Sequence, residues 1–304
     1  MLRNKMFAAL IWSSAAAGGG VSRVEIAPSV WMPRLTLNAF PATAGWLAAG
    51  GRGVDCALDY GDERQSEMGR AVAASGIPRS EIFITTKVPC CPTAHFGASG
   101  WPWLPVANCS LARNTTEDIE YDLGLIGSEY VDLLLLHFTC DRWEDTLTSW
   151  RALEAAALSG QARAIGVSNF NQTDIERLIA TARIPPAVNQ AGFAIGSPQN
   201  ATLGRDWATI RRCQQLNVTY EAYAPFGERN ATAPTSRVDV LSDPTVAAVA
   251  ARANVSTALV ALRWVVQHGM NVVTSASDAA YQAEDLGVDG FELSAADMAT
   301  LDAI

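Results

Sequence analysis

The sequence predicts an α/β protein whose eight parallel strands close into a barrel, and three observations carry that prediction. Short apolar runs of about four to eight residues, each stopping at turn chemistry, read as strands buried on both faces. Amphipathic stretches of helical period lie between them, which is the pattern of a parallel sheet covered by helices. The chain has 304 residues, of which 49% are hydrophobic and 17% charged, so it can bury one large core without dividing into domains.

In chain order, the segment "RVEIAPSVWMP" predicts a β-hairpin that closes the barrel floor ahead of the first strand. The strands then follow at 35–37, 52–55, 82–87, 131–137, 162–167, 187–189, 219–222 and 271–273. Helices are expected over 63–75, 116–125, 145–158, 172–182 and 201–215, with an unusually short one around 42–49. Residues 1–20 carry early positive charge, a short apolar stretch and small residues, and read as a possible signal or disordered segment. Residues 21–304 read as a single barrel domain. The stretch after Lys87, rich in Pro, Gly and aromatics, predicts a long loop in which Trp101 and Trp103 either cover the mouth or pack on the outer wall.

Polar residues stand just past several strands. Asp55 and Tyr60 follow the second, Lys87 ends the third and His137 ends the fourth, so their side chains are expected at the C-terminal mouth, where barrel enzymes keep their chemistry. These four types fit carbonyl reduction. An ammonium against the tyrosine hydroxyl lowers its pKa, a carboxylate keeps a buried lysine charged, and the histidine shares the oxygen that the tyrosine protonates.

The same segments resemble the aldo-keto reductase family. "VDCALDYGDERQSEMGRAV" is similar to that family's sequence around its catalytic aspartate and tyrosine, "SGIPRSEIFITTKV" to its lysine strand and "LGLIGSEYVDLLLLHF" to its histidine segment. "WRALEAAALSGQARAIGVSNFN", "PPAVNQ", "YEAYAPFG", "VSTALVALRWVVQHG" and "FELSAADMATLDAI" continue the likeness, in order, from about Met32 onward. The resemblance implies a (β/α)8 TIM barrel and an NAD(P)H-dependent oxidoreductase that reduces aldehydes or ketones to alcohols, with Tyr60 donating the proton and Asp55, Lys87 and His137 around it. It also implies that Ser168, Asn169 and Gln190 hold the nicotinamide carboxamide, that Tyr223 stacks on the ring, and that Phe40 and Phe138 wall the substrate. The rival reading is a non-catalytic nucleotide-binding or structural relative of the same fold.

Two departures bear on the cofactor, NADP(H) or NAD(H). Where the family carries a lysine and an arginine for the 2′-phosphate, this chain has Ser275 and Tyr281, so neither cation is present. Glu284 and Asp285 lie beyond them, and acidic residues beside the adenosine ribose favour a free 2′-hydroxyl. In the first strand Asn38 and Ala39 replace family glycines where backbone approaches the cofactor closely.

A net charge of −9 argues against nucleic acid or an anionic membrane as partner and leaves a small-molecule carbonyl, with the protein expected as a monomer. Three scattered histidines (His95, His137 and His268) and no C-x-x-C pair predict no metal. Cys56, Cys90, Cys91 and Cys140 follow strands two to four and are expected as unpaired, partly buried thiols, with a disulfide among them as the alternative. Sequons begin at Asn108, Asn114, Asn171, Asn200, Asn217, Asn230 and Asn254. With the N-terminus they favour a secretory or organellar address, whereas their fit to helix ends favours the cytoplasmic one taken as the expectation.

Overall fold

A computed structural model describes residues 21–38, 41–90, 114–227 and 234–304. Two short strands, β1 (Arg23–Ala27) and β2 (Val30–Pro33), pair antiparallel as the expected hairpin. Eight more follow: β3 (Leu35–Asn38), β4 (Gly53–Asp55), β5 (Phe83–Val88), β6 (Val131–Leu136), β7 (Ala162–Ser168), β8 (Val188–Gly192), β9 (Thr219–Tyr223) and β10 (Asn271–Thr274). These close in the order β10, β3, β4, β5, β6, β7, β8, β9, every pair parallel.

The wall is built by helices α1 (Thr43–Ala48), α2 (Asp62–Ala74), α3 (Thr115–Ile126), α4 (Trp143–Ser159) and α5 (Gln172–Ile179). It is completed by α6 (Trp207–Gln215), α7 (Pro244–Ala253), α8 (Thr257–Gln267), α9 (Ala279–Asp285) and α10 (Ala295–Asp302). Continuous apolar runs such as "VDLLLL" become fully buried strands because one face meets the barrel interior and the other meets a helix. Val30 and Met32 of the hairpin pack in one cluster with Phe83, Leu133, Leu135, Ala164 and Val188, of which Phe83 and Val188 are the first residues of their strands. The barrel is therefore plugged at its floor, and its chemistry has one open end.

One expected helix is broken. Instead of a continuous run over 201–215, a single 3-10 turn at Ala201–Leu203 stops at Gly204, and α6 begins only at Trp207. Gly204 has φ +66°, and a Cβ there would stand 2.1 Å from the Phe170 carbonyl oxygen, so the chain turns where only glycine fits. Asp206 then caps α6 by accepting from the Thr209 N–H at 2.9 Å. The five sequon asparagines among the described residues also have backbone duties. Asn114 and Asn171 form capping boxes, Asn200 accepts from the Leu203 N–H, and Asn217 and Asn254 hold φ of +57° and +55°.

A buried polar knot ties two helices to the barrel. Asp122 on α3 accepts from Gln65 on α2 and from Thr86 on β5, both at 2.7 Å. Burial pushes the Asp122 carboxyl up to about 8, against those two hydrogen bonds, which favour the charge; the Asp59 and Asp118 carboxylates add to the rise. The folded value lies above the ordinary 3.8, so between about pH 4 and 8 the folded chain holds a proton that the unfolded chain has lost. Stability from this site therefore falls as pH rises through that window. Asp122→Asn, which keeps an oxygen that can accept and has no charge to bury, should stabilise by about 1–3 kcal/mol at the upper end of the window and not at the lower. Urea titrations of both proteins across the window check this, and a pH-independent difference would count against it.

Candidate active site

Every element of the mouth arrives on a strand end or the turn after it. β4 ends on Asp55, and after Cys56 and Ala57 a single 3-10 turn, Leu58–Tyr60, carries Asp59 and Tyr60 before Gly61, at φ +109°, swings the chain into α2. β5 carries Lys87, His137 and Phe138 follow β6, and Ser168 closes β7 ahead of Asn169. On the neighbouring strands, Ser168 stands in register with Gln190 on β8, and Gln190 with Glu221 on β9. Parallel pairing thus delivers these side chains at one level.

Lys87 is fully buried, so its ammonium requires partners. It donates to Asp55 Oδ1 at 2.5 Å and to the Cys56 carbonyl at 2.9 Å. The other Asp55 oxygen accepts from Gln190 Nε2 at 2.8 Å, which also donates to Glu221 Oε2 at 2.8 Å, and Glu221 Oε1 accepts from Thr36 at 3.0 Å. A hydrogen-bonded chain therefore crosses the interior from β3 to β5. Burial raises the Glu221 carboxyl, and the Asp55 carboxylate raises it further.

Tyr60 lies beside this chain, with Lys87 Nζ 5.3 Å from its ring centroid. The expectation that Lys87 lowers the tyrosine pKa is corrected here. Burial pushes the hydroxyl well above its ordinary value of 10.0, and the carboxylates of Asp55 and Asp59 push in the same direction. The ammonium is committed to Asp55, so its charge is already neutralised from the position of the phenol. Tyr60 is held as a phenol.

His137 Nδ1 lies 2.9 and 2.8 Å from the two oxygens of Asp59. Its ring meets Tyr60 edge-on at 5.6 Å between centroids and stacks on Phe138 at 4.6 Å. Phe138, expected at the substrate wall, is buried. Phe40 and Ala39 lie outside the described residues, as do Trp101, Trp103, His95 and Cys91.

The expected cofactor residues also converge. Ser168 Oγ donates to the Gln190 carbonyl at 2.8 Å, and Asn169 Nδ2 donates to Ser168 Oγ at 3.0 Å and to the His137 carbonyl at 3.2 Å. Asn169 holds φ +59°, and its Oδ1 accepts from the Tyr223 hydroxyl at 2.8 Å. Tyr223 in turn accepts from the buried Arg205, whose guanidinium carbon stands 5.3 Å from its ring centroid. Gln190 and Asn169 have thereby spent their amide hydrogens, so Ser168, Asn169 and Gln190 offer a ligand acceptors only, and Tyr223 offers its ring. Three acceptors beside a flat aromatic face suit a ligand that presents N–H or O–H donors next to a ring.

At the far side of the mouth, Ser275 is exposed, Tyr281 is 63% exposed and Glu284 is half-buried. Asp285 is buried, accepts from Thr274 Oγ1 at 2.7 Å, and burial raises its carboxyl to about 6. As placed it joins α9 to β10.

Three residues at the mouth escaped the sequence reading: Asp59, Glu221 and Arg205. Glu221 had a signal, since it lies two positions before Tyr223 and so shares its face of the strand, a charge pointing where apolar residues belong. Asp59 adjoins Tyr60 but finds His137 only across 78 residues. Arg205 follows the broken helix and carried no pattern.

The cysteines require a second correction. Cys90 and Cys140 form a disulfide, with Cα atoms 5.3 Å apart, three residues beyond Lys87 and three beyond His137. Cys56 and Cys213 are free and buried, and burial pushes both thiols up to about 12. Non-reducing peptide mapping should recover Cys90 linked to Cys140, and reduction should cost about 2–4 kcal/mol of stability by releasing a loop of this length. Recovery of both as alkylated thiols from unreduced protein would refute the pairing.

The sequence pattern of the family described as "Aldo/keto reductase family" matches residues 38–304. The chain is 30% identical over 291 residues to morphine 6-dehydrogenase of Pseudomonas putida, an alignment covering 92% of this chain and 90% of that one. It is 30% identical over 257 residues to the NAD/NADP-dependent indole-3-acetaldehyde reductase of Schizosaccharomyces pombe, covering 83% and 78%. Among solved structures, an aldo-keto reductase enzyme from a Medee basin deep-sea metagenome library superposes with a TM-score of 0.76 at 28% identity, covering 92% of this chain and 94% of that chain.

Proposed function

The chain belongs to the aldo/keto reductase family and is an oxidoreductase acting on carbonyl compounds, and we propose that Tyr60 is its proton donor, with Asp55, Lys87 and His137 as its partners. The observation that carries this reading is geometric: Tyr60 stands at the open end of the barrel with Lys87 Nζ 5.3 Å from its ring centroid, the His137 ring edge-on at 5.6 Å, and Lys87 held by Asp55. A phenol held there can give its proton to an oxygen gaining negative charge. Bound NAD(P)H supplies the hydride. The chain's own groups do the rest: Lys87 and Asp55 fix the wall against which Tyr60 rests, and His137 faces the same oxygen. Ser168, Asn169 and Gln190 would hold the carboxamide of that cofactor, and Tyr223 would offer its ring to the nicotinamide.

Tyr60→Phe deletes the proton donor and leaves the proposed cofactor contacts untouched. Turnover of a simple aldehyde should fall roughly 10²–10⁴-fold while the cofactor dissociation constant stays within about twofold. Wild-type turnover in this variant would sink the assignment.

The cofactor preference follows from Ser275 and Tyr281. An Arg or Lys on a 2′-phosphate forms charge-assisted hydrogen bonds worth about 1.5–3 kcal/mol each, and about 1.4 kcal/mol is tenfold in affinity. With neither cation at those positions, NADH should compete with NADPH on equal terms or better. The relative described as NAD/NADP-dependent supports such dual acceptance. Ser275→Lys combined with Tyr281→Arg should move selectivity at least about tenfold toward NADPH. Dissociation constants at matched ionic strength decide it, because phosphate pairing is screened by salt. A wild-type chain binding NADPH a hundredfold more tightly would place the phosphate on another cation.

A further inference from the structure

Asp59 is 1% exposed, and both of its oxygens address a single atom, His137 Nδ1. A carboxylate only accepts, so Nδ1 must carry the ring hydrogen. The neutral ring then presents Nε2 as a lone pair. A carbonyl oxygen has no hydrogen to give that lone pair, so His137 assists a carbonyl only when its ring holds a second proton on Nε2.

We propose that Asp59 is a positioning residue which commits His137 to exchanging a proton at Nε2, making the Asp59–His137 pair the site's proton reservoir. This rests on the reading of the chain as a carbonyl oxidoreductase with Tyr60 as donor. In reduction the carbonyl carbon gains the hydride, its C=O becomes C–O, and the oxygen takes the Tyr60 proton. The phenolate left behind is disfavoured by burial and by the carboxylates of Asp55 and Asp59. The oxygen shared with His137 relieves it by accepting the Nε2 proton as it returns the other to Tyr60. The net change is imidazolium to imidazole and carbonyl to alcohol, and oxidation runs the same transfers backward. Asp59 holds the Nδ1 hydrogen throughout and offsets the charge that appears on the ring.

The surroundings suit the role. Lys87 and Asp55 neutralise each other on β5 and β4, Tyr60 shares the turn with Asp59, Tyr223 faces from β9, and Asp122 stands behind Asp59 on α3. Phe138 stacks on the ring and limits its rotation.

The test uses the full chain labelled with ¹⁵N-histidine, the His137 signals being assigned by their loss in His137→Gln. Wild-type protein should show its hydrogen on Nδ1 when the ring is neutral. Asp59→Asn can donate from its amide to Nδ1, which moves the hydrogen to Nε2 and removes the reservoir. Aldehyde turnover should then fall roughly 10²–10⁴-fold with KM and cofactor affinity little changed. In a His137→Gln background, Asp59→Asn should cost nothing more. A neutral wild-type ring bearing its hydrogen on Nε2 overturns the proposal, even if Asp59→Asn does not fold. So does wild-type turnover in Asp59→Asn, or an equal loss in both backgrounds. A wild-type chain that reduces no aldehyde would instead defeat the oxidoreductase reading and leave the tautomer measurement standing.

Discussion

The structure of the mouth depends on one buried ammonium. Lys87 has no access to water, so its charge persists only because Asp55 meets it at 2.5 Å and the Cys56 carbonyl accepts a second hydrogen. Removing one partner of such a pair typically costs about 3–5 kcal/mol, because the other charge is left uncompensated. The constraint propagates. Asp55 can face Lys87 only while Gln190 satisfies its second oxygen, Gln190 reaches it only by also donating to Glu221, and Glu221 is held by Thr36. Strands β3, β4, β5, β8 and β9 are thereby locked in register at the level where the chemistry sits.

That lock also decides what Tyr60 can be. An isolated ammonium beside the phenol would favour phenolate, but one already paired to a carboxylate offers little net charge, and desolvation wins. The site therefore stores its proton on Tyr60. Beside the same ring it sets a second carboxylate, Asp59, whose two oxygens both meet His137 Nδ1.

The barrel was legible because its strands are continuous apolar runs and its chemistry stands where those runs stop. Asp55, Tyr60, Lys87 and His137 could be named from that rule, and Ser168, Asn169, Gln190 and Tyr223 from the family's order of motifs. What the sequence hid is what long separations create. Gln190 reaches Asp55 across 135 residues, Asp59 reaches His137 across 78 and Cys90 reaches Cys140 across 50, and no local pattern records such meetings. The broken helix at Gly204 was missed for a related reason, since the turn is imposed by the Phe170 carbonyl from another element. The Thr274 bond that holds Asp285 inward likewise joins two elements and left no local pattern.

These distances separate two kinds of design freedom. The proton chemistry proposed above lies on strand ends tied together by buried charges, where any change of residue disturbs several partners at once. The cofactor selectivity proposed above rests on Ser275 and Tyr281, at the exposed edge of the loop and helix that follow β10, away from the buried network of the mouth. On that proposal, substitution there changes the charge presented to a ribose and leaves the mouth as it is. The two properties are then independent, and a chain of this fold can change the one while keeping the residues of the other.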